Sequence, residues 1–143
     1  MNDSDEGTER GIERGIERIL DADRIAVVGC SATPGKDAHD VPAYLRDHGY
    51  EIVPVNPFAD EIFGREPADA LADVDGDVPV VSVFRPSDEV SGIVDEALER
   101  GDVEAIWTQL GIRDDEAARR AEAGGITVVQ DRCMRAEHRR RHG

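Results

Sequence analysis

Arg24-Ile25-Ala26-Val27-Val28-Gly29 is a short β-branched apolar run that closes on glycine. With no polar alternation, it reads as a strand buried on both faces, the habit of a parallel sheet. The pattern returns along the chain. Glu51-Ile52-Val53-Pro54-Val55-Asn56-Pro57 gives a second strand and a turn, and Pro54 requires that strand to be partly free of ladder bonds. Val78 to Phe84 reads as a third strand, Val103 to Gln109 as a fourth and Ile126 to Val129 as a fifth. Helices fall between them: one from about Asp40 to His48, stopped by Gly49; one opened by Ser87-Asp88-Glu89 and ending near Arg100-Gly101; one from Asp114 to Ala123, stopped by Gly124-Gly125. Strands alternating with helices at this spacing predict the α/β class, a single Rossmann-like doubly wound domain around a mainly parallel five-stranded sheet.

Before the first strand, Gly11-Ile12-Glu13-Arg14 repeats as Gly15-Ile16-Glu17-Arg18. Ile12, Ile16, Ile19 and Leu20 then fall on one helical stripe, which predicts a docked helix held by tertiary contacts despite its two glycines. Residues 1–7 are polar and expected to be disordered. Residues 60–75 read as acidic and irregular, with a turn of helix near Ala68 to Leu71. The last twelve residues carry five Arg and one Glu, and read as a solvated tail. The expected division is a tail and docked helix over 1–23, the Rossmann-like domain over 24–133 and a basic tail over 134–143.

Composition narrows the function. The 143 residues are 39% hydrophobic but only 4% aromatic, so the core must be aliphatic. Thirty-two acidic residues against 17 Lys plus Arg give a formal charge of −15, which disfavours nucleic acid and anionic membrane as partners. No run of apolar residues is long enough to span a bilayer, and the start lacks a basic segment followed by an apolar one. Two cysteines make no disulfide framework, and a cytoplasmic location fits them. Among the basic residues there are sixteen Arg and one Lys, Lys36. An acid-heavy, Lys-poor surface suits a halophilic protein in a salt-saturated cytoplasm, with an ordinary acidic protein as the other reading.

In doubly wound sheets, ligands bind outside the carboxyl ends of the strands, where strand order reverses. The segments there are Gly29-Cys30-Ser31, Val55-Asn56-Pro57, Phe84-Arg85-Pro86, Gln109-Leu110-Gly111 and Gln130-Asp131-Arg132-Cys133. Gly29 lets backbone approach closely. The amides of 30–36 and the Ser31 hydroxyl can donate to phosphate oxygens, and Lys36 adds a cation. A nicotinamide dinucleotide would call for Gly-x-Gly-x-x-Gly and an acid at the end of the second strand. Residues 29–35 read Gly-Cys-Ser-Ala-Thr-Pro-Gly, and position 56 is Asn.

Five stretches, in order, carry a resemblance: 25–31 (Ile-Ala-Val-Val-Gly-Cys-Ser), 49–57 (Gly-Tyr-Glu-Ile-Val-Pro-Val-Asn-Pro), 83–85 (Val-Phe-Arg), 107–112 (Trp-Thr-Gln-Leu-Gly-Ile) and 129–133 (Val-Gln-Asp-Arg-Cys). Over roughly residues 17–138 the chain resembles the small CoA-binding proteins similar to the N-terminal domain of the succinyl-CoA synthetase alpha subunit. That resemblance implies coenzyme A as ligand. It puts the phosphates and adenosine on Gly29, Ser31, Lys36, Asn56 and Pro57, sets Phe84 and Arg85 beside the ligand, and lines the pantetheine with Gln109 to Gly111. Cys30, Val55 and Leu110 complete the candidate set as members of the same segments. The synthetase's second domain, with its phosphorylated His, has no counterpart within 143 residues.

No catalytic set and no metal-ligand cluster is read from the sequence. Cys30 and Cys133 are expected to pack as small residues, and Trp107 to sit in the core. The expected function is a non-catalytic module binding CoA or acyl-CoA. The alternatives are an NAD(P)-binding Rossmann oxidoreductase and the CoA-binding subunit of a two-chain acyl-CoA ligase. A protein partner or a homo-oligomer stays open.

Overall fold

The computed structural model of the chain describes residues 9–142, so the expected disorder over 1–7 lies outside the described residues. Five strands form one sheet: β1 Arg24–Val28, β2 Glu51–Val55, β3 Val80–Val83, β4 Ala105–Thr108 and β5 Thr127–Val129. They are all parallel, in the order β2-β1-β3-β4-β5. Five helices surround them: α1 Glu9–Leu20, α2 Asp37–Asp47, α3 Val90–Arg100, α4 Asp115–Ala123 and α5 Met134–His142. No helix among the described residues is long and apolar enough to cross a membrane.

Every strand is apolar on both faces because each face has its own core. On one side Ile16, Ile19, Leu20, Val41, Leu45 and Met134 bring α1, α2 and α5 onto Ile25, Val27, Val80 and Trp107. On the other, Leu71, Val90, Ile93, Val94, Ala97, Ala117 and Ala121 bring α3 and α4 onto Ala26, Val53, Val81 and Ile106. Each fully buried aliphatic side chain contributes about 1.5–3 kcal/mol. Three such residues on α1 outweigh the cost of its two glycines, about 1 kcal/mol each. Trp107 is fully buried, as expected, and its indole N–H donates to the Arg132 carbonyl at 2.8 Å.

Pro54 is accommodated by position. β2 is an edge strand, and the inward bonds to its neighbour are made at Glu51, whose N–H donates to the Asp23 carbonyl, and at Val55, whose carbonyl accepts from the Gly29 N–H. Pro54 therefore faces the outer edge, where a missing N–H breaks no ladder bond. That edge is covered by Ala68, which donates to the Pro54 carbonyl and accepts from the Asn56 N–H.

The basic C-terminal segment departs from the sequence reading. Residues 134–142 form α5, with Met134 and His138 buried. Its Arg residues meet acids from two helices: Arg140 and Arg141 both pair with Glu13 on α1 and with Glu137 on α5 itself. Burial alone would raise the Glu137 carboxyl, but hydrogen bonds from Arg141 and Arg140 outweigh it and hold its pKa below the usual range. On the α2 side, the Tyr44 hydroxyl and His138 Nδ1 share a hydrogen bond of 2.8 Å, and the rings of His48 and His142 pack against His138. Charge count alone reads this segment as tail, because Glu13 and Tyr44, which dock it, are distant in sequence.

Burial, and then the neighbouring His142 and His48, lower the His138 pKa below its ordinary 6.5. The folded state resists protonation here while the unfolded chain accepts it. The His138 contribution to stability is therefore complete above 6.5 and is lost as pH falls below it. Melting temperatures measured from about pH 8 down to about pH 5 are expected to fall less steeply for His138→Gln than for the parent chain. Equal slopes would remove His138 as a source of the pH dependence.

Candidate functional site

Chain direction sets where the site lies. After β1 the chain passes to β2 on one side, then returns to β3 on the other, so strand order reverses between β1 and β3. The loop after β1 enters α2 on one face, and the loop after β3 enters α3 on the opposite face. The crevice between these two loops is where a ligand fits in such a sheet.

Gly29 sits at its floor. Its φ of +86° favours glycine, and a Cβ there would stand 2.8 Å from both the Phe84 carbonyl oxygen and Arg85 Cδ. The ladder continues past the strand ends: the Gly29 N–H reaches the Val55 carbonyl at 3.0 Å, Phe84 N–H the Val28 carbonyl at 2.8 Å, and Gln109 N–H the Val83 carbonyl at 3.2 Å. Four of the five sequence-derived segments are thereby joined at backbone level.

Cys30 is fully buried, and burial pushes its thiol up to about 12. Only its backbone faces the crevice chemistry, so its thiol is a poor target for alkylation. Ser31 turns the loop. Its N–H donates to the Ala38 carbonyl at 3.0 Å, and its Oγ accepts from the Thr33 N–H at 3.0 Å. The Gly35 N–H donates to the Asp40 carboxylate at 3.1 Å. That bond, followed by one from His39, lowers the Asp40 pKa. Lys36 is exposed and flanks α2, its carbonyl accepting from the His39 and Asp40 amides. Loop 31–36 is thus a turn anchored at both ends on α2, whose first amides open toward it.

Asn56 makes three local hydrogen bonds. Nδ2 donates to the Cys30 carbonyl at 2.9 Å, and Oδ1 accepts from the Phe58 and Ala59 amides at 2.8 and 3.2 Å. It locks the turn after β2 onto the loop after β1 and presents Pro57 and Phe58 to solvent, Phe58 being 92% exposed. Arg85 lays its aliphatic stem over Gly29 and closes a two-pronged ion pair on Glu89 at 3.0 and 2.7 Å. The hydrogen bond to Glu89 is the main reason its own pKa is raised.

The fourth and fifth segments differ. Gln109 is buried, its Nε2 donating to Ser82 Oγ at 2.8 Å and its Oε1 accepting from the Met134 N–H at 3.0 Å. Its polar atoms bind β3 to the start of α5. Leu110 is 72% exposed, and Gly111 at φ +86° donates its N–H to the Asp131 carboxylate. Asp131 is itself at a positive φ of 60°. Cys133 is partly buried and unpaired with Cys30.

Phe58, Asp40 and Glu89 were not singled out by sequence. Glu89 reads from the sequence only as part of an acidic helix start, and its pairing with Arg85 comes from the bend between β3 and α3. Nothing in the sequence flags Phe58 beyond its being aromatic in an aromatic-poor chain. A hollow of about 770 Å³ opens at the opposite, amino end of the sheet between Arg24, Asp77 and Asp102. Arg24, the cation in its lining, donates to the Asp77 carbonyl, and the lining Asp102 is already bound by Arg100.

Gly29→Ala is expected to cost about 1–3 kcal/mol, since it adds a backbone clash to a left-handed φ. Denaturant midpoints check this. A loss under about 0.5 kcal/mol would mean that β1 and β3 exits separate easily.

A family model described as a CoA binding domain matches residues 23–139. The uncharacterized protein YneT of Bacillus subtilis is 40% identical over 115 residues, 80% of this chain and 84% of that protein. The solved structure of a hypothetical protein from Pyrococcus horikoshii has a TM-score of 0.85 at 32% identity, covering 100% of this chain and 98% of the other. An ADP-forming acetate–CoA ligase of Methanocaldococcus jannaschii is 31% identical over 77 residues, 54% of this chain but only 11% of the ligase.

Proposed function

The chain belongs to the CoA binding domain family, and from that membership we propose that it binds coenzyme A or an acyl-CoA as a binding module. The phosphates are held by the loop after β1, and the ligand lies across the carboxyl ends of β1, β3 and β4. The observation that carries the reading is the crossing at Gly29, where Arg85 passes directly over the start of a loop of amides and hydroxyls. A diphosphate suits that pairing, because backbone donors fix its oxygens and a guanidinium can take two at once. Phe58 and Leu110, both exposed beside the mouth, offer apolar surface to the uncharged parts of the ligand.

Asn56 supports CoA over a dinucleotide. The ribose of a nicotinamide dinucleotide calls for a carboxylate acceptor near the end of the second strand. Asn56 stands there instead, with both acceptor directions of Oδ1 turned to the Phe58 and Ala59 amides. Binding without chemistry fits the way the mouth's reactive groups are used: the Cys30 thiol is sealed in the core, and Asp131 holds the Gly111 amide. Service as the CoA-binding part of a larger ligase is the second reading, favoured by the match to 11% of the acetate–CoA ligase.

Thermal-shift titration in high-salt buffer with CoA, acetyl-CoA, NAD, NADP and ATP tests the proposal. CoA or acetyl-CoA is expected to raise the midpoint with concentration as RT ln(1 + [L]/Kd), and NAD and NADP are not. Arg85→Ala is expected to weaken CoA by about 1–3 kcal/mol, and Ser31→Ala by less. A rise with NAD alone, or none with CoA, would sink the reading.

A further inference from the structure

Pro42 lies inside α2, buried, well beyond the first turn. Proline has no N–H, and its ring crowds the carbonyl four residues earlier, here that of Ala38. The helix on either side is intact at its start, with the His39 and Asp40 amides both reaching the Lys36 carbonyl, at 2.9 and 2.8 Å. The carbonyl that Pro42 leaves without its helical donor is the one that accepts the Ser31 N–H at 3.0 Å. The loop after β1 supplies the missing rung of the helix.

We propose that Pro42 is a positioning residue for the loop after β1: by withholding an amide from Ala38, it reserves that carbonyl for Ser31 and fixes the loop on α2. Any other residue at 42 brings an N–H that competes along the helix axis, where geometry favours it over a loop donor. The far end of the loop has a separate tie, Gly35 to Asp40, so losing the Ser31 bond frees the near end while the helix stays formed. The near end carries the Ser31 hydroxyl and adjoins Gly29, the part of the loop that faces Arg85. The consequence for ligand binding rests on the proposed role of this loop as the CoA phosphate site. The consequence for the loop itself does not.

Pro42→Ala and Pro42→Val, made in the full chain, both restore the amide but differ in the volume they leave. Both are expected to melt at or above the parent temperature, because a helix-interior proline is removed. Amide hydrogen exchange followed by NMR is expected to show Ser31 protection falling about tenfold or more in both, and calorimetry the CoA Kd rising about fivefold or more. Unchanged Ser31 protection in both variants overturns the inference. A loss in the alanine variant alone overturns it too, since that would report a cavity and not the amide. Lost protection with an unchanged Kd overturns the ligand half. A parent chain that fails to bind CoA overturns the reading of the loop as a phosphate site, while Ser31 exchange still decides what Pro42 does.

Discussion

A Cβ atom at position 29 would stand 2.8 Å from both the Phe84 carbonyl oxygen and Arg85 Cδ, so the exits of β1 and β3 can meet only over a residue without a side chain. That meeting is what makes one site out of separate loops. β1 and β3 send their chains to opposite faces of the sheet, and without close contact at Gly29 the two exits would diverge around a gap. The hydrogen bonds that run one residue past the strands, Gly29 to Val55, Phe84 to Val28 and Gln109 to Val83, extend the rigidity of the sheet into the floor of the crevice. Loops placed on such a floor can hold donors in fixed positions before a ligand arrives.

The polar groups at this mouth divide into those that hold the protein and those still able to hold something else. Gln109, Asn56 and Asp131 belong to the first kind: Gln109 ties Ser82 to Met134, Asn56 holds Cys30, Phe58 and Ala59, and one oxygen of Asp131 holds Gly111. Arg85 stands between the kinds. Its guanidinium is satisfied by Glu89, but that pair is half exposed and joins the bend after β3 to the end of a short 3-10 turn. Exposed pairs of this sort contribute at most about 1 kcal/mol, so a phosphate can compete for the same guanidinium. Lys36 is a compact cation on a flexible stem and demands no geometry of its ligand.

The strands were legible because a parallel sheet covered on both faces leaves unbroken apolar runs, as at 24–28 and 80–83. Helix ends were legible to within a few residues from Gly49, Gly101 and Gly124, each standing just past a helix. The α5 helix was not, because what makes it fold is contact with Glu13, Tyr44 and Gln109, none of them local. The same limit applies to the site. Strand polarity sets these loops at one end of the sheet, but sequence could not tell which side chain at a strand end faces outward. Gln109 follows β4 as Phe84 follows β3, yet the polar amide is the one that is fully buried, held between Ser82 and Met134. Pro42 reads locally as a defect in a helix, and only the approach of Ser31 gives its missing N–H a role.

Net charge and ligand charge have the same sign under the proposed reading, which bears on how binding energy is distributed. A chain at −15 repels a phosphate-bearing ligand at long range, and that repulsion is screened beyond about 8–10 Å at moderate ionic strength. Hydrogen bonds from loop amides and the Ser31 hydroxyl act within contact distance and are screened far less. Of the C-terminal Arg residues, Arg140 and Arg141 do little to offset the repulsion, since Glu13 and Glu137 neutralise them on the fold itself. Attraction must therefore come from the few donors at the crevice, and added salt lowers the barrier to reaching them more than it weakens the contacts once made. Under the proposed reading, loop geometry at Gly29 and Ser31 outweighs surface potential in deciding whether a phosphate is held.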